Sequence, residues 1–156
     1  MRITLIAALD NHGGIGREGR MPWHCPADLR QFREYTMGKP VLMGRKTALS
    51  LKAGLPGRRL LIQSRSWSGS QEETLRSMEE AQAWIRRHPE YPELIIAGGG
   101  QIYAQWLDQA QTLRISRIPI TASCDVFFPV WDPAQWRCEQ TEARDGFDLE
   151  IWQRIK

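Results

Sequence analysis

The stretch Leu94-Ile95-Ile96-Ala97-Gly98-Gly99-Gly100-Gln101 joins a short apolar run to three glycines and the start of a helical segment. The same order recurs where Pro40-Val41-Leu42-Met43-Gly44 precedes a short helical segment at 45–51, and residues 3–8 and Arg59–Gln63 are further apolar runs. Short apolar strands that alternate with helices are typical of a parallel sheet buried on both faces. The sequence therefore predicts an α/β fold, with a mostly parallel central sheet and helices on both faces.

The remaining elements extend this pattern to the C-terminus. Helices are predicted over 27–37, over 77–87 from the capping box Ser77-Met78-Glu79-Glu80, and over 101–107, and Thr112–Arg117 is a fifth strand.

The end of the chain has a different pattern. Residues 136–141 and 149–155 flank Asp145-Gly146, which is a hairpin-type turn pair, so we expect an antiparallel C-terminal hairpin at one edge of the sheet. With 156 residues and neither a repeat nor a linker, the chain is expected to form a single domain over 1–156.

Composition and charge exclude several classes of protein. The formal net charge of +3 suits an anionic ligand, but the basic residues are spread along the chain, so we expect no nucleic-acid partner. No apolar run reaches the length of a membrane span, and the apolar N-terminal stretch is read as a strand and not as a signal peptide. Cys25, Cys124 and Cys138 show no metal-binding spacing, and neither do the three histidines. We expect a cytoplasmic monomer with reduced thiols, no metal and no membrane partner.

One carboxylate lies among apolar residues in Met21-Pro22-Trp23-His24-Cys25-Pro26-Ala27-Asp28-Leu29-Arg30-Gln31-Phe32. Asp28 and Phe32 are four residues apart and share a helix face, with Leu29 beside it. Burying a carboxylate costs free energy unless a partner meets it, which suits a site for a polar, protonatable heterocycle. The alternative is that Asp28 only stabilises the start of the helix, where acidic residues are common.

Polar residues and glycines follow three of the predicted strands. Gly98-Gly99-Gly100, Gly44-Arg45-Lys46-Thr47 and Ser64-Arg65 lie at strand ends, where open α/β sheets bind ligands. Their cations, hydroxyl groups and exposed backbone suit phosphate, although each junction alone could be a structural or solvated turn. Arg58, after Leu55-Pro56-Gly57, could pair with a carboxylate or remain a surface charge.

In their order along the chain, these motifs resemble the dihydrofolate reductase family, in a bacterial form. The matching stretches are Leu5-Ile6-Ala7-Ala8, Gly14-Ile15-Gly16, Met21-Pro22-Trp23, Pro26-Ala27-Asp28-Leu29, the run from Gly38 to Thr47, Leu55-Pro56-Gly57-Arg58, the run from Ile96 to Tyr103, and Asp125-Val126-Phe127-Phe128-Pro129.

The resemblance implies reduction of 7,8-dihydrofolate to tetrahydrofolate with NADPH, by hydride transfer to C6 and protonation at N5. Asp28 would bind the pteridine and favour the protonation, Trp23 would position an ordered water, and Ser116 would hydrogen-bond Asp28. Tyr103 would complete the catalytic set beside the nicotinamide. The residues implied for the folate pocket and its carboxylate tail are Ile6, Leu29, Phe32, Leu51, Leu55 and Arg58.

On the cofactor side, the resemblance implies a mobile lid over 11–21 and a cis peptide between Gly98 and Gly99. The residues implied around NADPH are Ala8, Ile15, Gly16, Met21, Gly44, Arg45, Lys46, Thr47, Ser64, Arg65, Gly98, Gly99, Gly100, Gln101 and Ile102. Cys124 stands where the family commonly has glycine, in a loop that supports the lid, and Gln101 stands where arginine is frequent.

Two other functions are compatible with parts of this pattern. A reductase of the same fold could act on another heterocycle, such as a riboflavin-pathway pyrimidine, but Asp28 together with Arg58 better suits a pterin with a glutamate tail. A non-catalytic module that binds nucleotides or nucleic acid would leave Trp23, Asp28 and Phe32 without a purpose.

Overall fold

The computed structural model describes residues 1–51, 54–66 and 73–155 of the chain. The strands are β1 Arg2–Leu9, β2 Gly14–Gly16, β3 Pro40–Gly44, β4 Arg59–Gln63, β5 Glu73–Leu75, β6 Glu93–Ile96, β7 Thr112–Arg117, β8 Val126–Phe127, β9 Trp136–Arg144 and β10 Phe147–Arg154. The α-helices are α1 Pro26–Thr36, α2 Arg45–Leu49, α3 Met78–Arg87 and α4 Gly100–Trp106, and a 3-10 turn follows at Leu107–Gln109.

The central sheet has the strand order β5-β4-β3-β6-β1-β7-β10-β9. In this order, the first six strands pair in parallel with their neighbours, whereas β10 runs antiparallel to both β7 and β9. This confirms the predicted α/β architecture, with its parallel centre and its antiparallel C-terminal hairpin. The hairpin turns at Asp145-Gly146, where Gly146 adopts a φ of 84° that suits glycine.

The two faces of the sheet bury different side chains of the same strands. Leu5 of β1 points into a large cluster that receives Trp84 from α3 and Trp106 from α4. Its neighbour Ile6 points to the opposite face, where Phe32 of α1 packs against a smaller cluster. Successive strand residues face opposite sides, so apolar residues at both positions require helices on both faces.

Most predicted boundaries agree with the structure to within two or three residues. The predictions for β3, β4 and β7 match in full, α2 ends at Leu49 and not at 51, and the hairpin strands are longer than expected. The capping box forms in part, since the backbone N–H of Glu80 donates to Ser77 Oγ at 3.1 Å. None of the helices within the described ranges is long and apolar enough to cross a membrane.

The glycine-rich segment after β1, which belongs to the lid that the resemblance implies, contains a short strand. Gly14–Gly16 forms β2 and pairs antiparallel with Val126–Phe127, which forms β8. The backbone N–H of Asp125 also donates to the carbonyl oxygen of Gly16 at 2.9 Å. Part of the predicted lid is therefore bound to β8 and to the loop before it by backbone hydrogen bonds. The sequence of these short strands has no hydrophobic pattern that would predict this pairing.

Candidate active site

Asp28 is a buried carboxylate in the first turn of α1, and its side chain is only 7% exposed. Ser116 of β7 donates a hydrogen bond from Oγ to Asp28 Oδ1 at 2.5 Å, and Gln31 Nε2 donates to the same oxygen at 3.1 Å. Charge-assisted bonds of this kind offset the cost of burying a carboxylate. The structure therefore joins Asp28 to Ser116, as the resemblance implies, and adds Gln31 to the pair.

Tyr103 of α4 lies near this carboxylate. Its hydroxyl donates to the carbonyl oxygen of Ile6 at 2.6 Å. Burial raises the pKa of Tyr103, and the charge of Asp28 raises it further. The peptide bond between Gly98 and Gly99 is cis, and a Cβ atom on Gly98 would lie 3.3 Å from Tyr103 Oη. Tyr103 thus links the glycine turn to the region of the carboxylate.

An apolar wall lies on the face of the sheet that α1 covers. Phe32, Leu51 and Leu55 are half-buried and pack against a cluster that contains Ile6. The structure thus brings four of the five predicted apolar pocket residues into one patch. Leu29 does not join this cluster and is 47% exposed.

Trp23 has an unusual environment. It packs beside Ala8 against the cluster formed by Ile118, Phe147 and Leu149. Among the described residues, its Nε1 is the one buried side-chain nitrogen or oxygen without a hydrogen-bond partner. Because a buried donor is normally satisfied, this atom marks a place for a water or a polar ligand group.

Arg58 is held close to the C-terminal end of α1. Its Nε donates to the carbonyl oxygen of Pro56 at 3.1 Å, and its guanidinium donates to Thr36 Oγ1 at 3.2 Å. Burial lowers the pKa of Arg58, and the like charge of Arg33 lowers it further. Two neighbouring cations repel each other, so an anion between them would be favourable.

A cavity of about 910 Å³ lies at the carboxyl ends of β3, β4 and β6. Ten of its lining residues were predicted from sequence, namely Gly44, Arg45, Lys46, Thr47, Ser64, Arg65, Gly99, Gly100, Gln101 and Ile102. The lining also contains Ser66, Arg76, Ser77, Glu79 and other residues that were not predicted. Cations and hydroxyl groups dominate this set, and Glu79 is the one carboxylate among the described lining residues, so the cavity suits a polyphosphate.

The glycines of this cavity leave its backbone exposed, since they have no side chains. A Cβ atom on Gly100 would lie 2.9 Å from Val126 Cγ1, and one on Gly44 would lie 3.1 Å from Ile102 Cγ1. The backbone N–H of Gly44 donates to the carbonyl oxygen of Gly98 at 2.8 Å, which fixes the two strand ends together. Side chains at these positions would displace the wall, so backbone can approach a ligand closely here.

The predicted lid residues meet this cavity at its edge. Ile15 Cδ1 would lie 3.9 Å from a Cβ atom on Gly100, so β2 reaches the glycine turn. Gly16 follows in the same strand, whereas Met21 is 47% exposed. The described residues contain no group of three His, Cys, Asp or Glu side chains that could hold a metal ion.

Comparison with known proteins decides which family has this arrangement. A family model described as dihydrofolate reductase matches residues 2–150. The chain belongs to the dihydrofolate reductase family. It is 43% identical over 148 residues to dihydrofolate reductase of Neisseria meningitidis serogroup A, covering 92% of this chain and 90% of that protein. It is 40% identical over 139 residues to dihydrofolate reductase type 3 of Salmonella typhimurium, covering 88% and 84%.

A solved structure agrees with this assignment. Dihydrofolate reductase from Enterococcus faecalis, complexed with NADP(H) and RAB-propyl, aligns with a TM-score of 0.88 at 26% identity, covering 99% of this chain and 97% of that one.

For this dihydrofolate reductase family member, the sequence interpretation missed two groups of polar residues. Arg76 and Ser77 line the cavity that suits a polyphosphate. Ser77 was interpreted from sequence only as the cap of a helix, which it also is. Gln31 bonds to the carboxylate of Asp28, and Arg114 bonds to Gln31. Their signal was spacing: Gln31 follows Asp28 by three positions on a helix, and Arg114 precedes Ser116 by two on a strand.

Proposed function

We propose that this chain reduces 7,8-dihydrofolate to 5,6,7,8-tetrahydrofolate with NADPH, and that Asp28 is the group that binds and orients the pterin. The proposal rests on family membership together with one observation. The Asp28 carboxylate is buried, and both of its side-chain hydrogen bonds are received by Oδ1. Oδ2 is then the oxygen with lone pairs to receive the amino group and ring N–H of a pterin.

Asp28 also acts on the proton that the reaction consumes. A negative charge beside the heterocycle stabilises a positive charge on it, so protonation of N5 becomes easier. The unpartnered Nε1 of Trp23 can hold a water by donating to it, and such a water bridges the protein to the pterin. The hydroxyl of Ser116 keeps the carboxylate plane fixed while the ligand binds.

The remaining part of the substrate follows the apolar wall to Arg58. Phe32, Leu51 and Leu55, which share one apolar cluster, contact the aromatic middle of the folate. The exposed side chain of Leu29 contributes a further apolar contact. The Arg58 guanidinium, already oriented by Thr36 and Pro56, binds a carboxylate of the glutamate tail. This tail site favours folate over a riboflavin-pathway pyrimidine, which has no such carboxylate.

NADPH fits the cavity beyond the glycine turn. When bound, it supplies the hydride. Its phosphates are bound by Arg45, Lys46, Thr47, Ser64 and Arg65, together with Arg76 and Ser77, which line the same cavity. The backbone from Gly98 to Gly100, with Gln101 and Ile102, holds the pyrophosphate, while Ala8, Ile15, Gly16, Met21 and Tyr103 enclose the nicotinamide and exclude water.

The first test is loss of reduced-nicotinamide absorbance when the protein is mixed with NADPH and dihydrofolate, with NADH in a parallel reaction. We expect rapid loss with NADPH and slower loss with NADH, because the cationic cavity recognises the additional phosphate. Retained NADPH binding without turnover of dihydrofolate would instead support a reductase for another heterocycle.

The second test is Asp28→Asn, which keeps the shape of the side chain and removes its charge. Turnover near neutral pH should fall strongly, and NADPH affinity should stay nearly unchanged, because the cofactor cavity lies at other strand ends. Unchanged turnover in the folded variant would refute the role given to Asp28.

A further inference from the structure

The polar face of α1 extends beyond the catalytic carboxylate. Asp28, Gln31 and Tyr35 are spaced by three and four positions, so they form one stripe along the helix. Arg114 and Ser116 alternate on the strand that faces it, so they project from the same side of β7. Each member of the stripe has a polar partner on the sheet: Ser116 for Asp28, Arg114 for Gln31 and Glu93 for Tyr35.

We propose that Gln31 and Arg114 are positioning residues for Asp28, which together fix the orientation of its carboxylate. Gln31 donates from Nε2 to Asp28 Oδ1 at 3.1 Å and accepts a bond from Arg114 Nε to its Oε1 at 3.2 Å. The acceptance fixes which end of the Gln31 amide faces the carboxylate, because a cation can only meet the amide oxygen. Gln31 is only 5% exposed, so this bridge is shielded from water.

Arg114 is itself held by a second layer of contacts. Its guanidinium carbon lies 4.0 Å from the centroid of the Tyr35 ring, and Lys39 Nζ lies 3.6 Å from the same centroid. Tyr35 Oη donates to Glu93 Oε2 at 2.6 Å, and Glu93 is buried between β1 and α1. Burial and this hydrogen bond raise the pKa of Tyr35 to about 12, so the ring stays neutral at physiological pH.

The charges around the bridge come from several elements. The charge of Asp28 raises the pKa of Tyr103 on α4, beyond the larger effect of burial. Ser116 of β7 is a neutral hydrogen-bond partner of Asp28. Burial lowers the pKa of Arg114. The charges of Glu93 on β6 and Glu142 on β9 raise this pKa, and Arg144 on β9 lowers it. Glu142 and Arg144 form an ion pair with each other at 3.2 Å, so they largely cancel. Arg114 is therefore the cation that reaches Asp28 through a direct chain of hydrogen bonds.

The expected consequence is a shift in pH dependence. Removing the positive charge of Arg114 makes a proton on pterin N5 easier to bind. The alkaline limb of the pH profile for dihydrofolate reduction, where turnover falls because N5 loses its proton, should then move to higher pH. A loss of structure alone would lower activity at every pH without moving this limb.

The experiment compares wild type with Arg114→Met, Gln31→Met and Arg114→Lys, by measuring kcat and KM for dihydrofolate from acid to alkaline pH. Arg114→Met should move the alkaline limb upward by about half a pH unit or more. Gln31→Met should lower turnover several-fold, because it removes a donor to Asp28. Arg114→Lys keeps the charge and should return the profile towards wild type. In all three variants, KM for NADPH should stay unchanged.

Arg117→Met is the matched control. Arg117 lies on the same strand as Arg114 at an odd spacing, so it projects from the opposite face, where it pairs with Glu150 at 3.0 Å. This variant should keep the wild-type profile.

The inference rests on the proposed reductase function, and the two can fail separately. Wild-type protein that does not reduce dihydrofolate overturns both. Active wild type with an unmoved profile in folded Arg114→Met and unchanged turnover in folded Gln31→Met overturns the positioning role alone.

Discussion

A Cβ atom on Gly14 would lie 2.5 Å from Sγ of Cys124 and 2.4 Å from its Cβ. The two residues, far apart in sequence, therefore share one small space between β2 and the loop before β8. Asp10 lies at the same junction, since its carboxylate accepts bonds from the backbone N–H groups of Gly14 at 2.8 Å and Ala122 at 2.9 Å. A cysteine can occupy the position where the family commonly has glycine because its neighbour in space has no side chain.

The Gly14 and Cys124 pair predicts a strongly non-additive double-mutant cycle. Gly14→Ala should destabilise the protein by about 1–3 kcal/mol, because the added methyl overlaps the cysteine side chain. The same change in a Cys124→Gly background should cost much less. Urea unfolding of the four proteins measures both values, and equal costs in the two backgrounds would show that the atoms do not compete for space.

The Ser116 hydroxyl is expected to contribute to turnover through Asp28. Ser116→Ala removes the 2.5 Å bond to Oδ1, so kcat/KM for dihydrofolate should fall about tenfold, which corresponds to roughly 1.4 kcal/mol. Ser116→Thr keeps the hydroxyl and should stay close to wild type. Steady-state kinetics of the two variants separates the loss of the donor from a change in packing, and similar losses in both would contradict this role.

Arg76 is expected to contribute to recognition of the NADPH phosphates. It lines the cavity with Arg65 and Ser66, and its guanidinium donates to the carbonyl oxygen of Arg65 at 3.4 Å. Arg76→Met should raise KM for NADPH about tenfold and leave KM for dihydrofolate unchanged. Arg86, which is exposed in the last turn of α3, provides the control variant Arg86→Met. An equal effect of both substitutions would indicate only a change in overall charge.

Glu93 predicts a pH-dependent stability difference. Burial alone raises its pKa, but hydrogen bonds from Thr4, Tyr35 and Lys39 outweigh burial and leave the pKa below its usual 4.5. The charged form therefore stabilises the fold above that value, and this contribution is lost as the pH falls through the lower folded-state pKa. Glu93→Gln should lower the free energy of unfolding by about 1–3 kcal/mol at neutral pH, with a smaller difference in acid.

Denaturant unfolding at several pH values checks this prediction. The exposed Glu90 supplies the matched control, since Glu90→Gln should change stability little at any of them. A Glu93→Gln deficit that stays constant into strong acid would mean that the lost charge is not its cause.

The sheet could be predicted from sequence because its strands are buried on both faces. Runs such as Arg59–Gln63 carry their own hydrophobic signal and their own boundaries. Gly14–Gly16 and Val126–Phe127 carry no such signal, since strands of three and two residues are defined by a distant partner and not by periodicity.

The site was predicted less completely than the fold. The resemblance supplied Asp28 and Ser116, and the structure places them in contact. Gln31 was missed because a polar stripe on a helix looks like a solvated face until the opposite strand is known. Its partner Arg114 lies on β7, so only the tertiary structure shows that the two residues meet.

The strand order separates the two ligand sites within the fold. The hydrogen-bond partners of Asp28 come from α1 and β7, whereas the cavity cations Arg45, Lys46 and Arg65 follow β3 and β4, with β6 and β1 between them in the sheet. Substitutions of these cations therefore fall on different elements from substitutions of Asp28 and its hydrogen-bond partners. A lineage could vary one of these two groups of residues while the other group stays the same.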